Sequence, residues 1–263
     1  MSQIVLGLGG IAGWNVLKRT STQQKEMIAN DLQVSRNNTY FRENISKVET
    51  AGDLVKDYRL LTVALGAFGL ENEIGSRAFI QKVLESDLSD SRSLVNRLSD
   101  KRFLKLAEAF RYGEGANKVQ SSGFGDKVVN QFIDRELERR VGKSDESMRL
   151  ALNAQRELTE MATRDVKETT LWYEVLGNPP LRKVFETTFG FDPKSFGKIP
   201  VDRQMTMMKA RAERMFGSEP FKTVGTEAGM EKLMRTYMAR SQIQLNSPAQ
   251  NAYSVALTLL SQR

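Results

Sequence analysis

Residues 127–166 read KVVNQFIDRELERRVGKSDESMRLALNAQRELTEMATRDV. In the first half Val129, Ile133, Leu137 and Val141 recur every four residues, with Val128 and Phe132 beside them. One face of an α-helix repeats at that spacing, whereas a half-buried strand alternates every second residue. Gly142 ends the run, because glycine readily takes the left-handed conformation that closes a helix. Asp145 is then placed to cap a second helix, from Glu146 to about Thr169. Its apolar positions are Met148, Leu152, Leu158, Met161, Ala162 and Val166, and its outer face is charged. No a/d heptad is sustained through the stretch, so it does not read as a long coiled coil.

The same pattern extends in both directions. Upstream, residues 14–50 have helical spacing, and 53–110 form the most hydrophobic part of the chain. Leu54, Val55, Tyr58, Leu61, Val63, Ala64, Leu65 and Phe68 predict one buried helix that stops at Gly69. Asp87 to Asp90 reads as a turn, and Asp100 as the cap of a helix carrying Phe103, Leu106 and Phe110. Downstream, Pro179-Pro180, Pro193 and Pro200 break 170–216 into short helices, since proline is tolerated best in a first turn. A helix over 226–242 carries Met230, Leu233, Met234, Tyr237 and Met238, and a last one after Pro248 carries Tyr253, Leu257 and Leu260. No segment alternates with period two. The expected fold is an all-α multi-helix bundle.

Two stretches interrupt it. Residues 1–13 hold Gly7, Gly9, Gly10 and Gly13 and read as a flexible arm. Residues 112–126 hold Gly113, Gly115, Gly123 and Gly125 among small polar residues and read as an exposed loop or hinge. The expected organisation is therefore an arm (1–13), a helical lobe (14–111), a hinge (112–126) and a second lobe (127–263). An internal echo points the same way. Tyr58 is followed by an apolar helix and Phe68-Gly69-Leu70, and Tyr173 by another and Phe189-Gly190-Phe191. Two similar lobes would explain it; so would Phe-Gly as a common helix ending.

Composition removes much familiar chemistry. The 263 residues contain no cysteine and no histidine. That excludes disulfides, thiolate or imidazole metal ligands, cysteine nucleophiles and the Ser-His-Asp triad. The carboxylate pairs Asp87/Asp90, Glu71/Glu73 and Asp145/Glu146 fall at expected turns and helix starts, where acids cap and complement the helix dipole. Residues 4–12 match the glycine spacing of a dinucleotide turn, but the strand and the acidic ribose ligand that the motif requires do not follow. The sequence thus suggests no catalytic residue, no cofactor and no metal.

The net charge is +7, split as +3 before and +4 after Gly125, so the excess is spread evenly. Arg139-Arg140 and Lys101-Arg102 are flanked by acids, and no basic block is interleaved with aromatics. A solvated helix face is therefore favoured over a nucleic-acid groove. No run of apolar residues is long enough to predict a membrane span, and no basic segment precedes the apolar N-terminus as in a secretory signal. What remains is protein–protein contact. The methionines concentrated between Met205 and Met238 would serve as core filler or as an adaptable binding face. The candidate partner-binding residues are Met230, Met234 and Tyr237, with Tyr253, Leu257 and Leu260 of the last helix.

Several stretches together are similar to a known family. They are GIAGWNVLKRT (10–20), Tyr40-Phe41 with Ile45, LGAFGL (65–70), FIQKVLESD (79–87), NRLSDKRF (96–103), MRLAL (148–152) and WYEVLG (172–177). They resemble alphaproteobacterial proteins of unknown function, whose members are often described as flagellar because their genes lie among flagellar genes. The likeness covers residues 10–260 and carries no catalytic or ligand-binding residue. It implies an accessory role in flagellar assembly or structure, with flagellar components as partners. Location would be the bacterial cytoplasm, or the flagellum after export without a cleaved signal. A cytoplasmic regulatory adaptor with no flagellar role fits the same residues.

Overall fold

The structure, a computed structural model, describes residues 9–114 and 118–245. Among them it contains fifteen α-helices, three short 3-10 turns and no strand. The all-α expectation holds. By its own contacts the chain divides into two compact units: of the described residues, unit 1 takes 20–114 and 118–140, and unit 2 takes 9–19 and 141–245.

Unit 1 begins with the second half of α1 (Gly10–Ala29) and continues through α2 (Leu32–Asn44), α3 (Ala51–Lys56) and α4 (Tyr58–Ala67). It ends with α5 (Arg77–Leu84), α6 (Leu94–Arg97), α7 (Lys101–Phe110) and α8 (Phe124–Gly142, to Arg140). Four of its helices, α2, α3, α4 and α7, start where a side chain satisfies the first free N–H groups. Asp31 accepts from Gln33 N, Thr50 from Asp53 N, and Asp100 from Arg102 N. Asp57 corrects the expected single helix over 54–68. Its carboxylate accepts from both Arg59 N and Leu60 N and so opens a new helix, α4, after α3. The core gathers Phe41, Leu54, Leu61, Leu65, Ile80, Leu106 and Phe110, with α2 against α4 and α5 against α3 and α7.

The 112–126 stretch is not the boundary between units. It lies inside unit 1, where Lys118 N bonds Phe110 O and Val119 is buried. Phe110 stacks on Tyr112 and meets Phe124 edge to face at 5.1 Å. Tyr112, Val119 and Phe124 therefore pack where composition suggested exposure. The unit divisions fall instead at Arg19–Thr20 in α1 and Arg140–Val141 in α8. The N-terminal arm also ends earlier than expected. α1 starts at Gly10, whose φ of +64° is open to glycine, and Gly13 is buried one turn later. Residues 1–8 lie outside those described.

Near its end, α8 carries an ion cluster. Arg139 and Arg140 bond Glu136 at 2.7 and 3.2 Å, and Arg140 lies 3.5 Å from Asp31. Burial alone would raise the Glu136 pKa, but the two guanidiniums outweigh it and hold the carboxyl below its ordinary value. A carboxyl depressed in the folded state contributes stability above its unfolded pKa and loses it as pH falls through the folded value. Stability is therefore expected to drop below about pH 4.5. Glu136→Gln should flatten that drop and lose about 1–3 kcal/mol at neutral pH, read by urea denaturation across pH.

Unit 2 takes the first half of α1 and α9 (Glu146–Ala162), α10 (Glu168–Gly177), α11 (Pro179–Phe189) and α12 (Pro193–Phe196). It closes with α13 (Val201–Phe216), α14 (Pro220–Val224) and α15 (Glu227–Leu245). α11 is central, packing on α9, α10, α13 and α15. The expected helix from Glu146 stops at Ala162, and α10 restarts at Glu168. The intervening residues are exposed, Val166 of the expected apolar face included, so burial offers no reason to continue the helix.

The sequence echo corresponds to one local structure. In unit 1 Leu70 N bonds Leu65 O and Gly69 N bonds Gly66 O; in unit 2 Phe191 N bonds Glu186 O and Gly190 N bonds Thr187 O. Both are Schellman closures with glycine at φ near +70°. An alanine at either glycine forces a side chain into the left-handed region. Gly69→Ala is expected to lose about 1–2 kcal/mol in thermal or urea unfolding.

Candidate functional site

Three helices of unit 2 surround a groove of about 320 Å³. Each helix presents residues one turn apart, which places them on one face. α1 contributes Trp14 and Lys18, α9 Gln155 and Thr159, and α15 Glu227, Met230, Glu231 and Met234. Gly225 and Thr226 form the turn into α15. That turn is fixed locally: Gly229 N bonds Thr226 Oγ1 at 3.1 Å, and Met230 N bonds Thr226 O. Thr159 Oγ1 is tied back to Gln155 O at 2.7 Å. Trp14, Met230 and Met234 are buried and make an apolar floor. Glu227 and Glu231 stand exposed on one side, with Lys18 also exposed.

The size is at the low end for ligand sites, which run about 300–1,000 Å³. Beside its apolar groups the lining carries two carboxylates, one lysine and two threonine hydroxyls. Two methionines and an indole adapt to an apolar side chain, and two carboxylates attract a neighbouring cation.

Two of the residues expected to bind partners, Met230 and Met234, come together here, but as floor and not as a protruding stripe. Tyr237 is not in the groove. It is 1% exposed; burial raises its pKa, and its hydroxyl meets Ser241 and Ser147. An open partner face at Tyr237 is thus corrected to a core position. Tyr253, Leu257 and Leu260 lie outside the described residues. Sequence reasoning missed Trp14, Lys18, Gln155, Thr159, Glu227 and Glu231 as groove residues. The i, i+4 spacing of Trp14 and Lys18 was the available signal, but three distant stretches had to be brought together to give it meaning.

A solved structure, protein AGR_C_984 from Agrobacterium tumefaciens, has the same fold. It matches with a TM-score of 0.75 and 23% identity over 94% of this chain and 99% of its own. No curated protein matches the sequence. The model of a family described as "Protein of unknown function (DUF1217)" matches residues 67–223, more than half of the chain. The chain therefore belongs to the DUF1217 family.

Proposed function

We propose that this protein is a non-enzymatic helical interaction protein serving bacterial flagellar assembly or structure. The groove of unit 2 would take a partner segment that brings an apolar side chain beside a lysine or arginine. The observation that supports this is the lining itself: an apolar floor of Trp14, Met230 and Met234 beside the exposed carboxylates of Glu227 and Glu231. Such a surface provides contact area and charge selection without a reacting group. The resemblance to proteins described as flagellar supplies the setting.

The chain's two tryptophans are Trp14 and Trp172. In a Trp172→Phe background Trp14 alone reports the groove. Adding a purified hook, rod or export component should shift its emission, and Glu227→Lys/Glu231→Lys should abolish the shift. In cells, a deletion strain should show fewer or shorter flagella and reduced swimming. Normal flagella in that strain would overturn the flagellar reading. A stable complex in cells without flagella would favour a cytoplasmic adaptor instead.

A further inference from the structure

The two Schellman closures differ in how their surrounding charge is balanced. In unit 1, Arg135 lies against Gly69 and Arg102 donates to the Gly69 carbonyl. Arg102 is also paired with Asp100 and Arg135 with Glu138. In unit 2 the Arg240 guanidinium lies against Gly190 in the same way. Phe191 then stacks on Phe196, with centroids 4.4 Å apart and planes at 14°. Arg211 sits 5.7 Å from the Phe191 ring and Arg182 5.8 Å from the Phe196 ring. Lys194 and Lys198 are exposed on the same short segment. Of these five cations, Arg182 has a carboxylate partner, Glu186. Asp192 caps α12 through Ser195 and, ionised, also faces Lys194 and offsets one charge. Among the described residues, Arg211 and Arg240 make no ion pair. The negative end of α11 offsets about half a charge. The segment therefore keeps a positive surplus, with Arg211 set against the Phe191 ring and Arg240 against Gly190.

We infer that the turn over residues 190–198, with Arg211 and Arg240, is a docking surface for an acidic peptide segment of a protein partner. This rests on the partner-binding reading above but uses a different surface from the groove. Arg211 is ordered by the Phe191 ring and Arg240 by its packing on Gly190, so pairing them with carboxylates loses less side-chain freedom, and a guanidinium can pair with a carboxylate in bidentate geometry. The chemistry fits carboxylates better than nucleic acid. The Phe191 and Phe196 rings face each other and carry guanidiniums, so they are not free platforms for stacking bases. It also fits poorly with a membrane, since Phe196 is buried and Lys194 to Lys198 presents no protruding apolar side chain.

The test is fluorescence anisotropy with a labelled short peptide of alternating glutamate and serine, at low and moderate salt. A DNA oligonucleotide and phosphatidylglycerol vesicles are run as competitors. The full chain should bind the peptide in preference to both competitors. Arg211→Ser/Arg240→Ser should weaken binding about tenfold, as expected for two charge-assisted contacts. Lys194→Ser/Lys198→Ser should weaken it less. Lys56→Ser/Arg92→Ser removes the same charge from exposed positions of unit 1 and should leave binding unchanged. Circular dichroism confirms that each variant is folded. No binding at low salt, equal losses in the control variant, or tighter binding of DNA or vesicles would overturn the inference. If the peptide fails while flagellar components are still captured through the groove, this inference falls and the functional proposal stands. Peptide binding without flagellar capture is the reverse.

Discussion

Truncating Trp172 to alanine is expected to lower the unfolding free energy by about 3–5 kcal/mol. The indole is 0% exposed. It meets the Phe185 ring at 5.4 Å and the Phe221 ring at 4.7 Å, so α10, α11 and α14 converge on it. Removal leaves a cavity lined by rings that cannot collapse into it, and the penalty grows with the volume left behind. Against a typical stability of about 5–15 kcal/mol, the loss is a large fraction. Trp172→Phe should be much milder, below about 1.5 kcal/mol. It keeps an aromatic body and removes an indole N–H that has no hydrogen-bond partner among the described residues. Urea titration followed by circular dichroism separates the two. Equal losses would mean that the site is less tightly packed than these distances indicate.

Gly229→Ala is the second large expectation, and its sign is the informative part. Replacing glycine with alanine inside a helix normally stabilises by about 1 kcal/mol. Gly229 sits in the first turn of α15, and a Cβ there would meet the Thr223 carbonyl and the Val224 Cα. Backbone cannot rotate aside as a side chain can. The substitution should therefore destabilise by about 1–3 kcal/mol, and loosen the turn that carries Thr226, Glu227 and Met230 into the groove. Thermal unfolding measures the first effect, and Trp14 emission in the Trp172→Phe background the second. A stabilised Gly229→Ala variant would contradict the close approach.

Local signals were legible in the sequence where one residue decides one helix end. Asp100 and Asp145 cap α7 and α9, and Gly69 closes α4, as their positions predicted. Two breaks were not legible. Asp57 lies within an apolar run, and only its bonds to two backbone N–H groups show that it restarts the chain. In the gap between α9 and α10 Val166 continues the apolar spacing, so periodicity gave no reason to stop at Ala162, yet Val166 is exposed. The unit divisions fall within helices α1 and α8, where composition does not change. The groove was the least legible feature. Met230 and Met234 were marked by their spacing, but Trp14 and Gln155 become neighbours of theirs only through folding. Methionine-rich spacing cannot say which face points inward, and Tyr237 turned out to be core.

In the proposed function, exposed acids around an apolar floor select a flagellar partner. The most direct measurement is affinity capture of the tagged full chain from flagellated cells, with quantitative mass spectrometry, for the wild type and for Glu227→Lys/Glu231→Lys. Both glutamates are exposed, so the variant should fold normally. Enrichment of hook, rod or export components is expected for the wild type, and its loss for the variant. Absence of flagellar components above background, or enrichment that survives the charge reversal, would contradict the proposal.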